Sequence, residues 1–246
     1  MTENETLSAK ALTLISHKLR TPLSIINGYS EAILSQAGKE KFSPFTTKAL
    51  GEIHKQGSRM SLLVDKLMAF NQVITTDEKT MEKQPVNIKN LVKECAEQTI
   101  AREGTEKGIP AAQTGGVKRG TFIEIDCSST LTLNANEEML KLCVCELLSN
   151  AIKFNNKLEK IIKVQATNHG DSISIAVRDY GVGIRPQDVA KIFEPFYQVD
   201  DYFTGQISGW GLGLPMVQRV LDLHHGSISV VSDRGLGSIF TLSFPL

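Results

Sequence analysis

The stretch Ser16-His17-Lys18-Leu19-Arg20-Thr21-Pro22 decides how the N-terminal part of the chain is interpreted. Around it, apolar residues recur at alternating spacings of three and four, which is the heptad pattern of a packed helix. The residues of this seam are Leu12, Ile15, Leu19, Pro22, Ile26, Tyr29 and Ile33. In that register His17 lies on the opposite side of the helix, where a neutral imidazole is available as a nucleophile near pH 7. Pro22 removes a backbone donor and is expected to interrupt and bend the helix.

A second heptad helix is predicted from about Thr46 to Val73, after a break at Gly38 to Pro44 in which Ser43-Pro44 forms a turn. Its apolar stripe contains Leu50, Ile53, Gly57, Met60, Val64 and Leu67, with Asn71 in register. Two such helices joined by a short loop form an antiparallel hairpin. One hairpin cannot bury seams of that width, so we expect two copies to pair into a four-helix bundle. Packing of the hairpin on the rest of its own chain is the alternative.

The composition excludes several classes of protein. The 246 residues contain 27 basic and 27 acidic side chains, and this balance argues against a general nucleic-acid or membrane surface. No apolar run is long enough to cross a bilayer, so we expect this segment to lie in the cytoplasm without membrane contact, although a longer parent protein could be membrane-anchored. The four cysteines, at 95, 127, 143 and 145, lack metal-ligand spacing and are expected to be reduced, buried thiols.

The hydrophobic pattern of the sequence changes after Ile74 to Gln84, a polar and charged stretch without periodicity. We therefore divide the chain into a helical hairpin at residues 1–74, a linker at 75–84 and a second domain at 85–246. In the second domain, strands and helices without regular alternation predict an α+β layer, with helices on one face of a mixed sheet. A short strand leading into a helix is predicted within Val86 to Arg102. Further strands are predicted at 121–126, 131–133, 161–167, 172–178, 227–232 and 238–244. One more helix is predicted to begin at Asn136 and another to span 214–225. A mobile loop is expected from Gly104 to Gly120.

The predicted helix that begins at Asn136 carries the first cluster of interest, Glu146, Asn150 and Lys153. Their spacing of i, i+4 and i+7 places them on one helix face. Carboxylate and amide oxygens are hard ligands that suit Mg²⁺, and a nearby lysine can neutralise phosphate charge. A solvated polar helix face is the alternative interpretation of this cluster.

Two glycine-rich clusters follow. Asp179-Tyr-Gly181-Val-Gly183-Ile184 comes directly after a strand, where glycines let the backbone approach a flat ligand and the aspartate can accept from an exocyclic amine. Gly209-Trp-Gly211-Leu-Gly213-Leu214 opens a helix, and a glycine-rich helix N-terminus is an anion site. It differs from the dinucleotide fingerprint in its glycine spacing and because it follows no strand. Plain glycine turns are the alternative at the first of these clusters.

These motifs together resemble those of the two-component sensor histidine kinases, over roughly Ser8 to Pro245. Five boxes occur in the family's order, which makes the match highly specific. They are the phosphoacceptor box at Ser16–Pro22, the N box at Glu146–Phe154, the G1 box at Asp179–Ile184, the F box at Phe193–Phe196 and the G2 box at Gly209–Leu214. The resemblance implies a bundle-forming hairpin and a C-terminal α/β sandwich with the Bergerat (GHKL-type) ATP-binding fold.

The resemblance also implies roles for single residues. Asn150 and Glu146 would bind Mg²⁺, and Lys153 would contact the phosphates of ATP. Phe154 would lie near the base, and Asp179 would recognise adenine. The nucleotide site would be completed by Gly181, Gly183, Gly209, Gly211, Gly213 and Leu214, with a lid at about 180–213.

For the N-terminal domain, the resemblance implies phosphoryl transfer. His17 would attack the γ-phosphate of ATP in a homodimer and pass the phosphoryl group to an aspartate on the receiver domain of a response regulator. Thr21 matches the residue that orients water when such proteins act as phosphatases.

The chain departs from the family pattern at Lys18, where relatives usually have an acid that orients the imidazole and takes up its proton. An ammonium cannot accept a proton. This departure leaves a kinase-impaired phosphatase or regulator-binding platform as an alternative, and an ATPase of the wider GHKL group as another. Gln198 also stands where relatives often carry a basic residue, and Glu146 stands where many carry asparagine.

Overall fold

The computed structural model describes residues 3–36, 42–107, 120–199 and 209–246, with the side chains at 3–15, 17–18, 36 and 104–107 excepted. The chain divides into two compact units, Met1–Thr76 and Asp77–Leu246. Within the described ranges, no helix combines the length and the apolar character that a bilayer crossing requires.

The first unit is a helical hairpin of α1 (Glu3–Gln36) and α2 (Pro44–Thr75). The helix α1 continues through Pro22, so the predicted interruption there is wrong, while the bend of its axis stays a prediction. The predicted turn at Ser43-Pro44 is wrong as well. Ser43 is the N-cap of α2 and accepts a hydrogen bond from the Thr46 amide at 3.1 Å, and Pro44 occupies the first turn, where its missing N–H costs nothing. Residues 38–41 of the predicted break lie outside the described residues.

On α1 the two helices of the hairpin join through a face different from the predicted seam, whereas Gly57 and Val64 of the predicted α2 stripe are buried. Asn27 donates to Ser61 Oγ at 3.1 Å, and a Cβ at Gly57 would overlap the Asn27 side chain. Leu23 and Val64 are both buried. The seam residues Leu19, Ile26, Tyr29 and Ile33 of α1, and Ile53 and Met60 of α2, are instead exposed. The hairpin therefore buries one stripe within itself and leaves a second apolar stripe uncovered.

The second unit contains a five-stranded sheet in the order β2-β4-β5-β7-β6. Strands β2 and β4 pair in parallel and the remaining pairs are antiparallel, which confirms the mixed sheet. Its strands are β2 (Gly120–Cys127), β4 (Glu159–Asn168), β5 (Ser172–Asp179), β6 (Ser227–Asp233) and β7 (Gly237–Pro245). A separate antiparallel pair joins β1 (Gln84–Asn87) to β3 (Thr132–Ala135).

Three helices cover one face of this sheet: α3 (Ile88–Lys107), α4 (Glu137–Lys153) and α6 (Gly213–Leu223). Alternate strand residues are buried beneath them, as the period of two in the sequence predicts. These include Ile162 and Val164 of β4, Ile173, Ile175 and Val177 of β5, and Phe240, Leu242 and Phe244 of β7.

Two predicted helix ends are wrong. The helix α3 continues through Gly104 to Lys107, which the glycine had suggested were part of the loop; residues 108–119 lie outside the described part of the chain. The helix α6 ends at Leu223 because His225 has a positive φ of 55°, which a right-handed helix cannot contain. The irregular stretch after β5 also contains a short helix, α5 (Pro186–Val189).

Candidate functional site

The helix α4 positions the first cluster through its cap and its buried face. The Asn136 side chain caps the helix by accepting from the Met139 amide at 3.1 Å. Leu140, Val144 and Leu147 are fully buried, so the helix is fixed against the sheet by one apolar side. Glu146, Asn150 and Lys153 are half-buried away from that core. The predicted cluster therefore lies on one helix, at the edge of the packed interior.

Glu146 extends from α4 to the first turn of α6. A Cβ at Gly213 would overlap the Glu146 carboxylate, so a larger residue at that position would displace this carboxylate. The helix α6 has no side-chain cap hydrogen bond at Leu212. Its N-terminus carries the positive end of the helix dipole, which attracts a carboxylate. The structure thus brings the N box and the G2 box together at Glu146 and Gly213.

Lys153 has a partner that no pattern in the sequence indicates. Its Nζ lies 3.8 Å from Oε1 of Glu103, a residue of α3 that is 8 % exposed. The same oxygen accepts a hydrogen bond from Ser149 Oγ at 3.1 Å. Ser149 and Lys153 are one turn apart, so a single buried carboxylate contacts two side chains of α4. Glu103 lies in a different helix and no spacing rule connects it to Lys153, so only the packing of α3 on α4 reveals it.

Asp179 ends β5 and is 6 % exposed. Its Oδ1 accepts from the Gly181 amide at 2.8 Å, and the carboxylate also accepts from the backbone amide of Ser238. Burial raises the pKa of this carboxyl above its usual range, and the two backbone hydrogen bonds partly offset that effect. A buried carboxylate of this kind is fixed in orientation and is suited to accept a hydrogen bond from one further donor.

The loop after Asp179 is held between α4 and the turn that connects β6 to β7. A Cβ at Gly181 would overlap the carbonyl oxygen of Phe154, and the Val182 amide donates to that oxygen at 3.0 Å. Gly183 has φ +67°, and a Cβ there would overlap the Asp233 carbonyl. Both glycines are therefore required by close backbone packing. This packing also places Phe154 beside the loop that carries Asp179.

The second glycine cluster is tied to the F box. Gly211 has φ +65°, and a Cβ at this position would overlap the backbone of Phe196 and Tyr197. The Phe196 amide donates to the Gly211 carbonyl at 2.8 Å, and Gln198 Nε2 donates to the Gly209 carbonyl at 2.9 Å. The segment 200–208, in the middle of the predicted lid, lies outside the described residues. Its two flanks are thus joined by backbone contacts.

A buried carboxylate that the sequence analysis missed anchors the first flank. Asp188 is 3 % exposed and accepts from Arg185 Nε at 2.6 Å and from the Tyr197 hydroxyl at 2.8 Å. The Arg185 guanidinium, followed by the Tyr197 hydroxyl, lowers the pKa of Asp188. The i, i+3 spacing of Arg185 and Asp188 was the one available signal.

In the helical hairpin, His17, Lys18 and Thr21 lie on α1. Thr21 is exposed, and Arg20 Nη2 forms an ion pair with Asp65 of α2 at 2.6 Å. The side chains of His17 and Lys18 stand outside the described part of the structure, so the outward orientation of His17 stays a prediction.

Two family models match the chain. The His Kinase A (phospho-acceptor) domain matches residues 9–75. The Histidine kinase-, DNA gyrase B-, and HSP90-like ATPase matches residues 135–246, a range that includes α4, the loop after β5 and α6.

Curated relatives match nearly the whole chain. The chain is 29 % identical over 230 residues to the phosphate regulon sensor protein PhoR of Pseudomonas aeruginosa. The match covers 94 % of this chain and 48 % of PhoR. The chain is also 29 % identical over 235 residues to the sensor histidine kinase RcsC of Escherichia coli, covering 96 % of the chain and 23 % of RcsC. The chain therefore spans 23 % to 48 % of the length of these relatives.

Solved structures agree with the observed fold. Full-length ShkA in complex with AMPPNP superposes with a TM-score of 0.72 at 26 % identity, over 96 % of this chain and 45 % of ShkA. The Acinetobacter baumannii histidine kinase AdeS superposes with a TM-score of 0.58 at 21 % identity, over 93 % of this chain and 97 % of AdeS, and that likeness concerns the fold alone.

Proposed function

Because this chain belongs to the two-component sensor histidine kinases, of which it forms a catalytic core, we propose that it transfers the γ-phosphoryl group of ATP to His17. From there the group passes to an aspartate on the receiver domain of a response regulator. The observation that carries this proposal is the convergence at α4 of Glu146 with the first turn of α6, and of Phe154 with the loop of Asp179.

The adenine end of the site is assigned to Asp179. Its buried carboxylate is already oriented by the Gly181 and Ser238 amides, and it suits the exocyclic amine of adenine as a further donor. Phe154, at the end of α4, would flank the base. We assign the glycines of the two glycine-rich clusters, together with Leu214, to the backbone that surrounds the nucleotide, and residues 180–213 to its lid.

The phosphate end is assigned to Glu146, Asn150 and Lys153. In the parts of the chain that the structure describes, no three His, Cys, Asp or Glu side chains form a metal cluster. Mg²⁺ commonly takes one or two protein oxygens and completes its shell with water and phosphate. The donor set of Glu146 and Asn150 fits that requirement, and the bound ion would neutralise charge on the triphosphate. Lys153 would exchange its distant contact with Glu103 for a phosphate oxygen.

His17 and Thr21 have different roles in the proposed reactions. A ring nitrogen of His17 forms the bond to phosphorus while the bond to the departing ADP oxygen breaks, and the imidazole proton leaves to a base. Thr21, one helical turn after His17, would orient water in the separate phosphatase reaction, in which the water oxygen bonds to phosphorus and the bond from phosphorus to the receiver aspartate breaks. The hairpin at residues 1–74 is assigned to dimerisation and phosphoacceptance, 75–84 to the linker and 85–246 to nucleotide binding.

The hairpin is proposed to form a homodimer through its uncovered stripe. Ile26 is 44 % exposed, Tyr29 is 70 % exposed and Met60 is 48 % exposed, although all three belong to strict heptads. A second copy would bury these side chains in a four-helix bundle.

Incubation with Mg-ATP that is radiolabelled at the γ-phosphate tests the proposal. We expect the wild-type chain to become labelled, with the label lost in acid because a P–N bond is acid-labile. His17→Gln should abolish labelling and keep nucleotide binding, whereas Asn150→Asp should lose both. The fluorescence of Trp210, the single tryptophan, reports binding independently. An acid-stable label, or labelling of His17→Gln, would contradict the proposal.

Lys18 favours a second candidate, in which self-phosphorylation is impaired and the protein acts as a phosphatase or binding platform for the regulator. The lysine supplies no base to the attacking imidazole and repels its protonated form. Dephosphorylation of a phosphorylated receiver domain in the presence of ADP, lost in Thr21→Ala but not in Thr47→Ala and combined with no labelling of His17 by Mg-ATP, would distinguish this candidate.

A further inference from the structure

Two of the four cysteines lie together where α3 packs on α4. Cys95 Sγ donates to the Lys141 carbonyl at 3.7 Å, and Lys141 is one turn before Cys145 on α4. Cys95 Sγ therefore lies against the turn of α4 that ends at Cys145, and the two thiols are close enough to interact. The packing of α3 on α4 thus brings these two cysteines together.

The two thiols differ in their access to solvent. Cys95 is 0 % exposed, whereas Cys145 is half-buried and the other three cysteines are buried. A small oxidant therefore reaches Cys145 first, and Cys95 is the adjacent thiol that can resolve the product. Paired thiols of this kind, one accessible and one next to it, are typical of reversible oxidation sites.

We propose that Cys95 and Cys145 form an oxidation site, at which a peroxide-class oxidant converts the two thiols into a disulfide that cross-links α3 to α4. The Cys145 sulfur, after losing its proton, attacks one peroxide oxygen, and the O–O bond breaks to give a sulfenic acid and water. The Cys95 sulfur then attacks the Cys145 sulfur. The S–O bond breaks, the Cys95 proton leaves with the departing oxygen as a second water, and a thiol reductant reverses the change.

The position of the pair connects it to the candidate site. Cys145 directly precedes Glu146, so the cross-link would restrain α4 beside the proposed Mg²⁺ ligand. That connection rests on the proposed function. The disulfide itself does not, because its formation can be measured in a chain that binds no nucleotide.

Treatment of the folded protein with hydrogen peroxide, followed by denaturation and thiol counting, tests the proposal. We expect the number of free thiols per chain to fall from four to two. Peptide mapping should yield a fragment in which Cys95 and Cys145 are joined within one chain, and dithiothreitol should restore all four thiols.

The variants make the assignment specific. Cys95→Ala and Cys145→Ala should each lose the joined fragment, whereas Cys127→Ala, at a buried cysteine in β2, should keep it. If one variant fails to fold, the peptide map of the wild-type chain still decides. Four thiols that survive peroxide, disulfides formed only between chains, or oxidation of Cys145 to sulfinic acid without a disulfide would each overturn the proposal.

Discussion

At the scale of single residues, Lys18 sets the chemistry available to its neighbour His17. General-base assistance typically contributes at least about 100-fold to a rate, and a lysine at this position removes that assistance. The positive charge of Lys18 would also oppose the imidazolium that forms as the nitrogen attacks phosphorus, while attracting the incoming phosphate. The proposed kinase is therefore expected to work slowly.

We predict that Lys18→Glu raises the rate of His17 self-labelling by about 10- to 100-fold, because a carboxylate can take up the imidazole proton. Initial rates of label incorporation measure the effect. Lys18→Gln is the matched control, since it removes the charge without adding a base, and it should recover much less. Equal gains in both variants would show that charge repulsion alone limits the reaction.

At the scale of elements, the loop between β5 and α5 depends on glycines whose backbone is pressed against neighbouring segments. Gly183 has a positive φ and no room for a Cβ, whereas Gly209 has no atom within 4 Å of the position where a Cβ would stand. Two glycines that look alike in the sequence therefore have different structural requirements.

We predict that Gly183→Ala lowers the free energy of unfolding by about 2 kcal/mol or more, because it combines an unfavourable φ with overlap on the Asp233 carbonyl. It should also weaken nucleotide binding by displacing the loop of Asp179. Urea titration measures the first effect. Gly209→Ala is the control and should stay within about 0.5 kcal/mol of the wild type.

His224 connects the end of α6 to the beginning of α4. Its Nε2 accepts from the Asn136 amide at 3.1 Å, which fixes Nδ1 as the donor to the Val220 carbonyl at 2.7 Å. The ring also packs edge-on against Phe244 with 5.9 Å between centroids. Burial, the largest cause, lowers the pKa of this imidazole below the ordinary value of 6.5. The folded state therefore holds His224 neutral, and protonation would break the hydrogen bond from Asn136.

We predict that the second unit loses stability as the pH falls below 6.5 towards the lowered folded-state pKa of His224. In that window the unfolded chain binds more protons, so stability rises with pH, by up to about 1.4 kcal/mol per pH unit. Urea titrations at several pH values between about 5 and 8, which bracket this window, measure the slope of the free energy of unfolding against pH. His224→Gln should flatten it and the exposed His169→Gln should not; an unchanged slope in His224→Gln would contradict the assignment.

At the scale of the whole molecule, the hairpin exposes an apolar stripe that its own two helices do not cover. Leu19, Ile26, Tyr29 and Ile33 repeat along α1 at heptad positions, and all are more than a third exposed. Large contiguous apolar surfaces of this kind mark protein interaction sites. Since the stripe is a heptad seam, a second copy of the hairpin is the simplest complement.

We predict that Tyr29→Lys weakens the proposed dimer at least about 100-fold, because each copy would place a charge in the seam. Sedimentation equilibrium across a range of concentrations measures the dissociation constant. Glu31→Lys changes an exposed residue away from the seam and should leave the dimer intact. An unchanged dissociation constant in Tyr29→Lys would show that the copies associate through another surface.

The sequence by itself determined the elements and their order, because heptads, alternation and caps act over a few neighbouring residues. Asn136 as a helix cap and the mixed sheet could be predicted for that reason. The partners across elements could not, since Glu103 reaches Lys153, and Cys95 reaches Cys145, only when α3 packs on α4. Tertiary structure likewise decided which apolar stripe the hairpin buries, because two stripes compete for one interface and only the packing of side chains such as Asn27 against Gly57 selects between them.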